Sequence, residues 1–137
     1  MGSSQIQNKI LLIVDTNIQR RSHLATKLRL VGHTTEVSDS GFQVISLLEN
    51  AIDHKQKSYS GLIIVEDSED MPGREIMLLV RNLFKDKSSF PILVLNRAHD
   101  PDDILLTIKE GANEYVVDFD NQSKVLEKVR KHIPEPH

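Results

Sequence analysis

The sequence predicts an α/β domain in which five parallel strands form a doubly wound sheet with five helices on its two faces. Three continuous apolar runs carry this prediction: KILLIV at Lys9–Val14, LIIV at Leu62–Val65 and FPILVL at Phe90–Leu95. A strand in the middle of a parallel sheet is covered on both faces, so its sequence is apolar throughout. A helical pattern follows each run after a short connection, as in right-handed βαβ units. We expect the flavodoxin-like strand order 2-1-3-4-5, because it places these three strands in the centre.

The first half of the chain is predicted to hold two strands and two helices. The strand Lys9–Val14 is followed by a helix that ends at Gly32, and the short polar strand His33–Ser38 suits a sheet edge. A second helix continues to about Asn50. Side chains that can accept hydrogen bonds from a first helical turn precede both helices, and these candidate caps are Thr16 or Asn17 and Asp39 or Ser40. The apolar residues that recur at helical spacing are Leu24, Leu28, Val31, Val44, Leu47, Leu48 and Ala51.

The second half of the chain repeats the alternation of strand and helix three times. After the polar loop His54–Ser60, the predicted strands and helices are, in order, Leu62–Val65, Gly73–Phe84, Phe90–Leu95, Pro101–Gly111, Glu114–Val117 and Asn121–Ile133. Proline at the start of the fourth helix suits a first helical turn. The residues expected to face the core from the third and fifth helices are Ile76, Leu79, Val80, Leu83, Val125, Leu126 and Val129.

The fourth helix has more apolar residues than one face can bury. At 100° per residue, Leu105 and Ile108 lie within about 60° of each other, whereas Leu106 lies about 160° from Ile108. We therefore expect Leu105 and Ile108 to face the core, with Ile104 on the flank and Leu106 on the outer side.

Length and composition fit one globular domain. The chain has 137 residues, of which 39% are hydrophobic and 27% charged. No apolar run approaches the roughly 20 residues that cross a bilayer, and the net charge of −3 argues against a nucleic-acid-binding face. The absence of cysteine fits a cytoplasmic location. We expect the domain to span residues 9–133, between an unstructured or cloning-derived tail at 1–8 and a C-terminal tail at 134–137.

Polar residues follow the predicted strands at the point where each strand ends. Asp15 comes directly after the first strand, and the third strand is followed by Glu66, Asp67, Glu69 and Asp70. In open α/β sheets, ligands and chemistry lie beyond the carboxyl ends of the strands. The sequence therefore places its candidate site at this edge of the sheet.

From Lys9 to about Ile133, the chain resembles the receiver domain of two-component response regulators, both in sequence and in the order of its motifs. The matching stretches are KILLIVDTN at the first strand, Gly32-His33 at the end of the first helix, GLIIVE at the third strand, Met71-Pro72, FPILVLN at the fourth strand, EGANEYVV at 110–117 and Phe119-Asp120. The resemblance implies a site where paired acids hold Mg²⁺ and an aspartate accepts a phosphoryl group. A Thr or Ser then senses this group, and a Lys neutralises it.

The family's site has five positions: two acids, the acceptor aspartate, the Thr or Ser, and the Lys. Four of them differ in this chain. Asp15 fills the first acid position, but Thr16 replaces the second acid. Glu66 stands at the acceptor position, Asn96 at the Thr or Ser position and Asp118 at the Lys position. Glutamate places its carboxylate about 1.3 to 1.5 Å further out than aspartate, and phosphoryl transfer depends on positioning. An acid in place of the Lys would repel the phosphoryl group. The sequence thus indicates a pseudo-receiver that does not work by phosphorylation.

Two other functions stay open. A working phosphotransfer receiver would use Asp67 as acceptor if the strand shifted by one residue, although the shift would bury the Glu66 carboxylate among apolar residues. A small-molecule or nucleotide binder could use the same fold, but DTNIQ after the first strand has no glycine for a phosphate loop. Asp15, Glu66 and Asp118 are weak candidates for a divalent-cation site, and we expect no metal and no other cofactor.

We expect a protein-interaction module of bacterial signalling without enzymatic activity. The resemblance implies a partner face made by the fourth helix, the fifth strand and the fifth helix. Ile104, Tyr115 and Val117 could supply that face, with Leu106 as a secondary site. The expected partner is another signalling protein or an output domain of the same chain, and a homodimer through this face is a further option. We expect binding to neither nucleic acid nor membrane.

Overall fold

The computed structural model describes residues 9–55, 57–66, 73–97 and 100–135. In this part of the chain five strands alternate with five helices. The elements are β1 (Ile10–Val14), α1 (Ile18–Leu30), β2 (Thr34–Ser38), α2 (Gly41–His54), β3 (Tyr59–Val65), α3 (Gly73–Leu83), β4 (Ile92–Leu95), α4 (Pro101–Glu110), β5 (Glu114–Val116) and α5 (Gln122–His132). None of these helices is both long enough and apolar enough to span a membrane.

The strands form one parallel sheet in the order β2-β1-β3-β4-β5, which confirms the predicted fold class. The register aligns the ends of the strands. Val14 pairs with Ile64, Leu95 pairs with Val65 on one side, and Leu95 pairs with Val116 on the other. The residues that follow β1, β3, β4 and β5 therefore meet at one edge of the sheet.

Buried side chains fill both faces of the sheet. Leu11 and Ile13 of β1 belong to the core beneath α1 and α5, whereas Leu12 and Val14 belong to the core beneath α2, α3 and α4. Successive side chains of a strand point to opposite faces. Since both faces are covered, all residues of the central strands except Ile10 and Ser60 are buried, which explains the continuous apolar runs in the sequence.

Side-chain caps begin four of the helices. The capping residues, whose side chains accept a hydrogen bond from the first turn, are Asn17, Ser40, Asp100 and Asn121. The first two are among the predicted candidates. Gly32, just beyond α1, has a φ of 102°, a conformation that favours glycine. The first half of the chain therefore folds much as predicted, although α2 extends to His54.

The inner face of α3 differs from the prediction. Met77 and Arg81 are buried there, whereas Leu79 is 49% exposed. Burial of Arg81 is possible because its guanidinium donates hydrogen bonds to four oxygens, as buried polar groups require. These acceptors are the carbonyls of Phe84, Phe90 and Gly111 and the side-chain oxygen of Asn113, at 2.8 to 3.1 Å.

The predicted core-facing side of α4 is wrong at Leu105, the most exposed apolar residue of this helix. Leu105, expected in the core, is 68% exposed, and Leu106, expected on the outer side, is 39% exposed. Thr107 is buried instead, with its hydroxyl donating to the Asp103 carbonyl at 2.8 Å. This bond satisfies the hydroxyl, so the helix can turn a polar residue inward between the half-buried Ile104 and Ile108.

Candidate functional site

Asp15 lies buried at the end of β1, and its carboxylate is already occupied by cationic and backbone donors. Arg20 Nε donates to Oδ2 and Arg20 Nη2 donates to Oδ1, both at 2.7 Å. The backbone N–H of Asn17 donates to Oδ1 at 2.9 Å. The Asp15 side chain is 1% exposed and that of Arg20 is 20% exposed. A planar guanidinium that donates hydrogen bonds to both carboxylate oxygens forms a strong, geometrically specific ion pair.

An aromatic ring supports this ion pair from the α5 side of the sheet. Phe119 is buried, and the guanidinium carbon of Arg20 lies 5.3 Å from the centre of its ring. Arg97 lies 4.6 Å from the same ring and pairs with Asp120 at 2.7 Å. Both distances allow cation–π attraction. Phe119 therefore helps to fix Arg20 in the position from which it reaches Asp15.

Glu66 directly follows β3, and its carboxylate contacts the end of β4. Its Oε2 accepts a hydrogen bond from Asn96 Nδ2 at 3.2 Å. Burial raises the pKa of the Glu66 carboxyl, and its interactions with Asn96 and with the backbone and charge of Arg74 offset part of that effect. The side chain also lies against the backbone of Gly73. Glu66 thus joins the end of β3 to the end of β4 and the start of α3.

A cleft of about 180 Å³ opens beside Glu66. Its lining residues are Glu66, Arg74, Asn96, Asp103, Thr107 and Tyr115. Burial raises the pKa of Tyr115, and the charges of Glu66 and Asp103 raise it further. Arg74 donates two hydrogen bonds to the Glu110 carboxylate, at 2.7 and 2.8 Å. The cleft is therefore lined by the end of β3, α3, α4 and β5.

A family model described as flagellar regulatory protein FleQ matches residues 9–131 of the chain. The chain belongs to this family. No curated protein shows significant similarity to it.

Solved structures of response regulators share the fold. Chemotaxis protein CheY4 of Vibrio cholerae matches with a TM-score of 0.75 and 20% identity, over 93% of this chain and 100% of that one. A two-component response regulator from Clostridium difficile gives 0.74 and 17%, over 90% and 94%. The Mn²⁺-bound form of response regulator Rcp1 gives 0.70 and 16%, over 94% and 99%. The chain therefore has the CheY-like receiver fold.

The residues that the sequence groups into one pocket have these contacts in the structure. Glu66 and Asn96 contact each other, and the Asp15 side chain accepts hydrogen bonds from Arg20 and from the backbone of Asn17. Thr16 and Asp118, at the positions of the second acid and the Lys, are exposed. Asp67, the alternative acceptor, lies outside the described residues, as do the N-terminal tail 1–8 and residues 136 and 137.

The predicted interaction residues lie around α4 and β5. Ile104, Tyr115 and Val117 are half-buried, and Leu106 is exposed. Leu105, which the sequence places in the core, is the most exposed apolar residue of α4.

The described residues at this edge do not fit the Mg²⁺ site that the receiver fold implies. Mg²⁺ is bound by carboxylate and other oxygen ligands in near-octahedral geometry, but both Asp15 oxygens accept hydrogen bonds from Arg20. Within the described ranges, no group of three His, Cys, Asp or Glu side chains is arranged to hold a metal ion.

Arg20 and Phe119 are the site residues that the sequence alone does not reveal. Arg20 lies in the first turn of α1, five positions after Asp15, and is followed by a second arginine, Arg21, which donates to the Asp15 carbonyl at 3.1 Å. A basic pair five and six positions after an acid at a strand end is the signal of this ion pair in the sequence.

Proposed function

We propose that this chain is a receiver-fold domain that acts in the bacterial cytoplasm as a phosphorylation-independent protein-interaction module, not as an enzyme. The family to which it belongs suggests that the module serves flagellar regulation. The observation that carries the proposal is the ion pair of Asp15 with Arg20.

Arg20 supplies at this edge the positive charge that a divalent cation supplies in a working receiver. Its guanidinium is covalently tethered, permanently charged and further held by Phe119. To bind Asp15, a metal ion would have to displace two short charge-assisted hydrogen bonds. Those bonds belong to a carboxylate whose side chain is only 1% exposed, where charge-assisted bonds are strong. The ion pair therefore opposes metal-dependent phosphorylation.

The residue at the Lys position supports the same conclusion. Asp118 is exposed and acidic, whereas a phosphoryl group carries nearly two negative charges at neutral pH. Repulsion between these groups would oppose a stable phosphorylated state. A domain that lacks both the metal site and the neutralising ammonium would act through a constant surface.

The proposed surface for a protein partner surrounds α4 and β5. Leu105 is 68% exposed on α4, and Ile104, Tyr115 and Val117 are half-buried. Apolar and aromatic side chains of this kind supply the anchors of many protein interfaces. The proposed partner is another signalling protein or an output domain of the same chain, and a second copy of the domain is a further candidate.

Treatment with acetyl phosphate and Mg²⁺, followed by intact-mass measurement, tests the proposed function. We expect the domain to keep its unmodified mass while a working receiver, treated in parallel, gains a phosphoryl group. Asp67→Asn is the control for the alternative function. A gain in the wild type that disappears in this variant would establish a phosphotransfer receiver that uses Asp67.

A further inference from the structure

A second cleft, of about 350 Å³, lies at the opposite end of the strands from Asp15 and Glu66. β3 has seven residues, each rising about 3.3 Å, so roughly 20 Å of strand separate this cleft from Glu66. Its lining residues are Leu47, Asn50, Ala51, His54, Lys57 and Tyr59. Clefts that bind small molecules have volumes of about 300 to 1,000 Å³, so this one is large enough for a ligand.

One face of α2 forms a wall of the cleft. The four lining residues of this helix stand at positions i, i+3, i+4 and i+7, which lie on one helical face. Leu47 and Ala51 pack against the core, whereas Asn50 and His54 are exposed. This wall is therefore apolar where it meets the core and polar at the mouth of the cleft.

A β-bulge turns the Tyr59 side chain toward α2. Two consecutive residues of β1 pair with Tyr59 and Gly61, so Ser60 is one extra residue in β3. In a regular strand Tyr59 and Leu62, three positions apart, would point to opposite faces, but here both belong to the core beneath α2. Bulges are common next to active sites, where they re-aim a side chain. The bulge explains how an aromatic ring reaches the cleft from β3.

Hydrogen bonds to Glu36 of β2 hold this ring and a cationic group in place. The Tyr59 hydroxyl donates to one Glu36 oxygen, and Lys57 Nζ donates to the other at 2.9 Å. An ammonium has three donors, and the Lys57 side chain is 52% exposed, so Lys57 can also donate to a ligand. Groups that are already positioned lose little freedom when a ligand binds.

The chemistry of the lining favours an anionic ligand with an apolar body. Among the six residues that line the cleft in the described part of the chain, Lys57 is cationic, His54 can become so and none is acidic. The amide of Asn50 adds a further donor. The apolar side of the cleft, which includes the Tyr59 ring, suits a flat hydrophobic group, because apolar and aromatic side chains line most small-molecule pockets.

We propose that this cleft binds a small aromatic carboxylate. The ring of the ligand lies between α2 and Tyr59, and its carboxylate accepts hydrogen bonds from Lys57 and Asn50 at the mouth. Neither Asp15 nor Glu66 lines this cleft. The proposal therefore goes beyond the proposed function and does not depend on it.

NMR titration of the domain with phenylacetate tests the proposal, and phenylacetamide, which has nearly the same shape and no charge, is the matched ligand. We expect saturable shifts at the backbone amides of Ala51, His54 and Tyr59 with both compounds. The carboxylate should bind about tenfold more tightly, because its contact with Lys57 is a hydrogen bond between charged groups.

Two substitutions locate the binding. Ala51→Leu extends a side chain into the cleft and should abolish the saturable shifts, while thermal unfolding shows whether the variant folds. Lys57→Met should weaken phenylacetate binding by about tenfold and leave phenylacetamide binding unchanged, and this result decides if Ala51→Leu does not fold. Lys55→Met is the control, because it removes the same charge from an exposed residue that does not line the cleft. It should change neither affinity.

Four results would overturn the proposal: no saturable shift in the wild type, equal affinity for phenylacetate and phenylacetamide, undiminished binding by a folded Ala51→Leu variant, or equal weakening by Lys57→Met and Lys55→Met. Labelling by acetyl phosphate bears on the proposed function alone.

Discussion

At the scale of single residues, one arginine, Arg20, binds both oxygens of the Asp15 carboxylate. A buried carboxylate must be paired or neutralised, and Arg20 pairs it from the first turn of α1. The identity of Asp15 as a site residue follows from its place after an apolar strand. Its partner does not, because the contact depends on how the β1–α1 loop and the cap at Asn17 direct the helix. Pattern and spacing alone cannot choose between Arg20 and the neighbouring Arg21.

We predict that Arg20→Ala lowers the free energy of unfolding by about 3 kcal/mol, because it leaves a buried carboxylate without its charged partner. Arg97→Ala is the matched control, since Arg97 also lies over Phe119 but pairs with Asp120, whose side chain is 66% exposed. It should cost about 1 kcal/mol. Urea denaturation of both variants measures the difference. Equal losses would mean that the Asp15 pair is no stronger than a surface pair.

At the scale of elements, the sequence predicts which segments are helices better than which sides of them are buried. The inward stripe of α4 was assigned from apolar residues, but Thr107 is buried and Leu105 is exposed. The inward stripe of α3 contains Arg81 for a similar reason. Thr107 donates to a carbonyl of its own helix, whereas Arg81 finds acceptors that only the folded chain provides. Hydrophobic periodicity registers neither kind of hydrogen bond.

Arg81 ties the end of α3 to the start of β4 and to the α4–β5 connection through four hydrogen bonds. We predict that Arg81→Met destabilises the domain by about 3 kcal/mol or more, because several buried carbonyl groups lose their donor together. Lys87→Met removes a single hydrogen bond, to the Ile108 carbonyl at 2.8 Å, and should cost about 1 kcal/mol. Thermal unfolding would contradict this account if the two substitutions had similar effects.

At the scale of the whole molecule, the fold was predictable because the three strongest apolar runs are the three central strands. The order 2-1-3-4-5 places those strands in the centre, and the polar residues of β2 identify it as an edge strand. The candidate site was only partly predictable. Its residues follow the ends of strands, which the sequence predicts, but the partners that Asp15 and Glu66 take depend on side-chain reach within the folded chain.

We propose that charges of the chain itself occupy the receiver site, so that neither metal nor phosphoryl group enters it. NMR titration of the domain with Mg²⁺ and then with beryllofluoride, a mimic of the phosphoryl group, tests this proposal. We expect no saturable shifts at the amides of Asp15, Glu66 and Asn96, because Arg20 retains the Asp15 carboxylate throughout. Saturable shifts centred on these three residues would contradict it.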